Sequence, residues 1–164
     1  YHGFFPLHSY PLLGKFFWFL TMAAMGLAAV FLWMIAHRLA SGSTLSERHV
    51  NRILAVAWLL YILYVGFIDY HFVAAIVFYL PALLSLLIIL LKKRTTMGGS
   101  SITVISILLM LFASLLQQLK FGIEALQLDH NTIYHLLQAL ALLGFYLGLS
   151  RLDRLRIAPI VIAK

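Results

Sequence analysis

The chain has no cysteine, so disulfides and thiolate metal ligands are excluded and the redox compartment is left open. Charge is nearly as scarce. Only 10% of the 164 residues are Asp, Glu, Lys or Arg, against about a quarter in an ordinary soluble domain. Acids are the rarest, five in all, and none lies between Gly3 and His37. There is no nucleotide-binding glycine loop, no nucleophile elbow, no internal repeat and no low-complexity segment, which argues against the common soluble enzyme classes. The chain begins Tyr1-His2-Gly3-Phe4 with neither Met nor a Lys/Arg-led signal peptide, so the expectation is that a segment preceding Tyr1 is missing or was processed off.

What is abundant is apolar. Hydrophobic residues make up 63% of the chain and the mean hydropathy is +1.00, which predicts an integral membrane protein. At roughly 20 residues per helical span, the length is enough for several crossings. The expected fold class is all-α, a polytopic transmembrane helix bundle forming a single transmembrane domain over 1–164. Its spans are expected at about 12–37, 53–68, 72–91, 102–119 and 130–150. They are separated by the polar run Arg38 to Arg52, the short Asp69-Tyr70-His71 connection, the loop Lys92 to Ser100 and the polar stretch from Gln117. Ser46-Glu47-Arg48-His49 fits a capping box only loosely. Pro81 lies inside the third span, where it is expected to kink the helix or be absorbed by its neighbours.

Cations are placed unevenly. The Arg38–Arg52 loop, the Lys92–Ser100 loop and the basic tail 151–164 together hold ten of the twelve Lys and Arg residues. Alternate ends of five spans put these segments on one side, and the positive-inside bias makes that side, with the C-terminus, cytoplasmic. The net charge of +7 is then explained by topology and by contact with anionic membrane lipids, and no nucleic-acid partner is required.

The same alternation gathers His2, Asp69, His71, His130 and His135 at the non-cytoplasmic ends of their segments. His37 and His49 are separated from them by a hydrocarbon core of about 30 Å. Ionisable residues at membrane depth are expensive and mark sites by default. His2, His130 and His135 therefore form the candidate metal cluster: neutral imidazole suits zinc, and a catalytic zinc commonly takes three protein ligands and a water. The plainer alternative makes His2 a terminal loop residue, His130 an interfacial one and His135 a satisfied core histidine.

The run Asp129-His130-Asn131-Thr132-Ile133-Tyr134-His135, followed by Leu136-Leu137-Gln138-Ala139-Leu140-Ala141-Leu142, resembles the last helix of the CREST superfamily. These are seven-helix membrane hydrolases that include alkaline ceramidases, adiponectin and progestin receptors and systemic RNAi transmembrane proteins. Their last helix carries two zinc histidines, often as D-H-x-x-W-H or H-x-x-x-H. His2-Gly3-Phe4 resembles the segment that supplies the remaining zinc histidine. The resemblance implies that the five spans are the last five of seven, with zinc held by His2, His130 and His135. Zinc would activate water against an amide or ester, and an apolar bundle would admit a lipid substrate.

The chain departs from that pattern in two respects. His130 and His135 are five residues apart, about 140° around a regular helix, rather than four. Three arrangements would answer this: a non-helical start that bends His130 back, a π-bulge, or Asn131 in the first ligand position. The acid that the hydrolases carry shortly after their first histidine is also absent, leaving Asp129, Asp69 and Asn131 as candidate outer residues that orient a ligand.

Two other functional classes fit the composition. One is an electron-transfer protein whose haem is ligated by histidines such as His71 and His135. The other is a non-catalytic subunit packed among other membrane subunits. In the second case the aromatics Phe16 to Phe19, Trp33, Trp58, Tyr61 and Tyr64 serve packing and interfacial anchoring. Ala23-Ala24-Met25-Gly26, Gly144 and Gly148 then supply close-approach surfaces.

Overall fold

Hydrocarbon offers no water to satisfy a peptide group, so each apolar run must close its own backbone hydrogen bonds, and each does so as a helix. The computed structural model describes residues 11–41, 47–69, 71–93, 96–123 and 128–156. Five helices result: α1 (Pro11–Ser41), α2 (Glu47–Phe67), α3 (Phe72–Lys92), α4 (Ser100–Gln118) and α5 (His130–Arg156). All five are long and apolar enough to cross a membrane. The large side chains they leave exposed, among them Leu59, Leu60 and Leu63 on α2 and Leu136, Leu140 and Leu143 on α5, are what lipid-facing helices require. The chain is a multi-pass membrane protein.

Three helix boundaries differ from the sequence expectation. α1 continues past His37 to Ser41, α2 starts six residues early at Glu47, and α5 runs through Arg151 to Arg156, so the first part of the basic tail is helical. The apolar stretch marks where the bilayer ends, whereas the helix extends beyond it because Arg, Glu and Leu are good helix formers in water as well. Ser46, the proposed cap of α2, lies outside the described residues. Pro81 sits within a continuous α3, on an exposed face.

The chain divides into two units, residues 1–86 and 87–164. In the first, α1 and α2 meet through aromatic side chains that use α1's own backbone. The Tyr61 hydroxyl donates to the Met22 carbonyl (3.1 Å) and the Trp58 indole N–H to the Ala23 carbonyl (3.4 Å). Gly26 makes room for this, since a Cβ there would collide with the Tyr61 ring. The other face of Tyr61 stacks on Phe78 of α3, with centroids 4.5 Å apart and planes 16° from parallel. Met22, Tyr61, Val65 and Ala75 form the buried centre of this cluster. The Ala23–Gly26 segment and these aromatics thus act in packing, as the small residues and rings of the sequence suggest.

The second unit is built on an antiparallel hairpin of α4 and α5. Ser100 Oγ ties the start of α4 to the end of α3 by donating to the Leu90 carbonyl (2.9 Å). Along the seam, Gly148 lies against Thr103 and Gly99, and Gly144 lies against Ser106. Lipid tails are as apolar as leucine, so apolar side chains gain little by leaving lipid for another helix; close backbone approach through small residues holds such pairs together. The hydroxyls buried there are satisfied within their own helix: Thr103 Oγ1 donates to the Gly99 carbonyl and Ser106 Oγ to the Ile102 carbonyl. Gly99 caps α4 with φ 83°, and a Cβ there would also press on the Gly148 carbonyl and lie 2.8 Å from Arg151 Cβ. Only glycine meets both demands.

This seam sets an order of mutational cost. A Cβ at Gly148 would collide with Thr103 Oγ1 and sit 2.8 Å from the Thr103 backbone nitrogen, which cannot move without shifting α4. At Gly144 it meets Ser106 Oγ at 2.5 Å, and that hydroxyl can rotate. Gly148→Ala is expected to destabilise the protein by about 1–3 kcal/mol, the usual range for overpacking, and Gly144→Ala by less. Thermal unfolding in detergent checks both, and wild-type melting of Gly148→Ala would refute the seam.

Candidate functional site: the polar start of the last span

The connection from α4 to α5 is tightly specified. Helix α4 ends in a complete Schellman motif: Phe121 N donates to the Leu116 carbonyl and Lys120 N to the Gln117 carbonyl, with Lys120 left-handed at φ 52°. A lysine in the place usually held by glycine costs about 1–2 kcal/mol. Lys120 is exposed, and Gly122 follows two residues on. Ile123 and Leu128 then exchange both backbone hydrogen bonds (2.8 and 3.2 Å), delivering the chain to Asp129.

Asp129 is the N-cap of α5. Its Oδ1 accepts from the Thr132 N–H at 2.7 Å, and its carbonyl accepts from the Ile133 N–H at 3.1 Å. These hydrogen bonds from Thr132 hold the carboxyl below its usual pKa, with smaller contributions from His130 and His135. The cap also settles how the helix begins. His130 is already the first α-helical residue and no π-turn follows, so neither the bent-back start nor the π-bulge forms. In the regular helix His130 and His135 point about 140° apart, His130 half-buried and His135 exposed.

Asn131 is four residues before His135 and shares its face. Its Oδ1 accepts from Gln117 Nε2 of α4 at 3.3 Å, half-buried. The Tyr134 ring lies beside that of His135, with centroids 5.0 Å apart, and Gln138 follows one turn on. Its side-chain oxygen Oε1 is shielded and has no partner among the described residues. Sequence reasoning passed over Gln117 and Gln138. The spacing 131, 134, 135, 138 was the available signal, one helical face written in polar residues.

The remaining candidates are placed as follows. His2 lies outside the described residues. Asp69 orients a histidine, namely His71: its Oδ1 accepts from the His71 backbone N–H at 2.8 Å and also contacts the ring Nδ1. The His71 backbone bond first, and then the ring, hold the Asp69 carboxyl below its usual pKa. The pair closes the short turn between α2 and α3, and the His71 side chain is 75% exposed. Among the described residues, no three His, Asp or Glu side chains gather closely enough to hold a metal.

The cap has a signed pH consequence. Because the folded-state pKa of Asp129 is depressed, its contribution is fully present above the unfolded value of about 3.9 and is lost as pH falls through the lower folded value. Asp129→Ala should lower the melting temperature at pH 7 and flatten the acid limb of the stability profile. Asp129→Asn retains an N-cap acceptor and should lose less at pH 7. Equal melting of wild type and Asp129→Ala at neutral pH would remove the cap from the account.

No curated protein and no solved structure matches the chain. Residues 1–154 match a family of unknown function, DUF6962. A five-helix membrane protein with a capped, polar-faced last span, this chain belongs to the DUF6962 family.

Proposed function

We propose that the chain is a multi-pass membrane protein with its C-terminus in the cytoplasm, and that its opposite end carries a zinc-dependent site hydrolysing a lipid amide or ester. The observation that carries the second part is the concentration of ionisable and hydrogen-bonding side chains at one end of a membrane-length helix: Asp129, His130, Asn131, Tyr134 and His135, with Asp129 held as a carboxylate beside both histidines. The likeness to the last helix of the CREST hydrolases supports the same reading.

Neutral imidazole suits zinc, and a regular α5 admits only one of its two histidines to a shared ion. In this reading His135, on the face that also carries Asn131 and Tyr134, is the α5 ligand, with His2 as the ligand from outside the helix. Asn131 occupies the position that the resemblance gives to a histidine, and it is a weaker donor for zinc. Zinc bound there would polarise a carbonyl and bring the pKa of its water towards about 7. Asp129 fixes the start of the helix and sets the local field, and Tyr134 supplies a hydroxyl beside His135.

Purified protein is expected to contain near-stoichiometric zinc, which His135→Ala releases and His130→Ala retains. Zinc content by mass spectrometry, with hydrolysis of N-acyl and O-acyl lipids, is the measurement. Full retention in His135→Ala would refute the ligand assignment. A metal-free, inactive protein would leave the non-catalytic subunit, a reading favoured by one observation: the Asn131 amide is already committed to Gln117.

Sidedness rests on the ten-of-twelve basic bias. The natural absence of cysteine makes single-cysteine labelling direct. An impermeant thiol reagent added outside is expected to label Gln127→Cys and spare Ser43→Cys, and the reverse pattern would invert the topology.

A further inference from the structure

Pro81 stands near the middle of α3, on the face turned away from the buried residues Ala82, Leu83 and Leu86. Val77, one turn before it, is 67% exposed. Any apolar residue would cover the same surface, and a proline inside a helix typically costs about 3 kcal/mol. Packing therefore gives no account of it.

The chemistry of proline does. With no N–H, Pro81 cannot donate to the Val77 carbonyl, and its ring crowds that carbonyl. Elsewhere along α3 a bend would have to stretch a backbone hydrogen bond in hydrocarbon, where each group left unpaired costs several kcal/mol. At Pro81 that bond is already missing, so α3, although continuous, is weakest there.

The stretches on either side of the proline are held by different helices. Before it, the Phe72 ring lies against Trp18 of α1, with centroids 6.2 Å apart, Ala75 is buried in the Met22 and Tyr61 cluster, and Phe78 stacks on Tyr61. After it, the Leu90 carbonyl accepts from the buried Ser100 Oγ of α4 at 2.9 Å, and the Lys93 carbonyl accepts from the Met97 N–H at 3.1 Å. The division between the two units falls inside α3, between Leu86 and Leu87, about a turn and a half beyond the proline.

We propose that Pro81 is a hinge. The part of α3 before it moves with the first unit, and the part leading into α4 moves with the second, each keeping its own packing. Such a change breaks no backbone hydrogen bond inside the bilayer, because the one in its way is absent from the start. It holds whatever chemistry the start of α5 performs.

Spin labels test it, since the chain has no native cysteine. The pair Val73→Cys and Ile88→Cys brackets the proline, and the pair Phe16→Cys and Phe31→Cys spans the same length of α1, about 22 Å, with no proline between. All four side chains are exposed. Distances are read by pulsed electron paramagnetic resonance on the full chain in nanodiscs. The α3 distribution is expected to be at least about twice as wide as the α1 distribution, and to narrow to it in Pro81→Ala, which restores the missing donor. An α3 distribution as narrow as that of α1 would overturn the hinge, and so would a breadth that persists in Pro81→Ala. Should Pro81→Ala fail to fold, the comparison of α3 with α1 in the otherwise unaltered chain decides alone.

Discussion

Backbone donors and acceptors at membrane depth must find partners inside the protein, and this structure is arranged around that requirement. It makes each apolar run a helix, and it also governs the few polar side chains inside the helices. Thr103 and Ser106 return their hydroxyls to carbonyls of their own helix, while the Ser100 and Tyr61 hydroxyls and the Trp58 indole N–H donate to carbonyls of a neighbour. A helical carbonyl has a second lone pair available, so these bonds join helices without breaking either backbone ladder.

The two units meet the requirement by different means. In residues 1–86 a large side chain does the joining: Tyr61 lies over Gly26, reaches the Met22 carbonyl and stacks on Phe78. Aromatic area compensates for helices that could otherwise gain as much from lipid. In residues 87–164 the joining comes from the absence of side chains, with Gly99, Gly144 and Gly148 letting α4 and α5 approach until Thr103 and Ser106 fill the seam. That hairpin is what fixes the start of α5, because the Schellman turn, the Ile123–Leu128 bridge and the Asp129 cap leave the first helical turn little freedom.

The functional argument depends on that restriction. A histidine pair spaced by five can serve one ion only if the helix yields, and a capped α-helical start does not. The consequence is a different polar face, the one holding Asn131, Tyr134, His135 and Gln138, on which one histidine remains together with two amides and a phenol. The zinc ligand proposed at His135 and the packing contact of Asn131 with Gln117 draw on the same few residues, which is why metal content and ligand-specific loss answer separate questions there.

Composition and the spacing of apolar runs were sufficient to establish five membrane-length helices, the short Asp69 turn and the small residues of the last span, because hydrocarbon leaves one solution for a 20-residue apolar segment. The Gly144/Gly148 seam was legible for the same reason: glycines one turn apart on a span have few other uses. Helix ends were not, since Glu47 and Arg156 are charged and helical at once, and hydropathy registers only the charge. The relation between the α5 histidines also required tertiary structure. Local sequence allowed a bent start, a bulge or a regular helix, and the choice was made by the Asp129 cap and the α4–α5 connection leading into it. Likewise, Asp69 turned to His71 and Asn131 to Gln117 because hydrogen bonds are decided by which groups come within about 3 Å, and partners for a polar side chain are fixed only when the chain has folded.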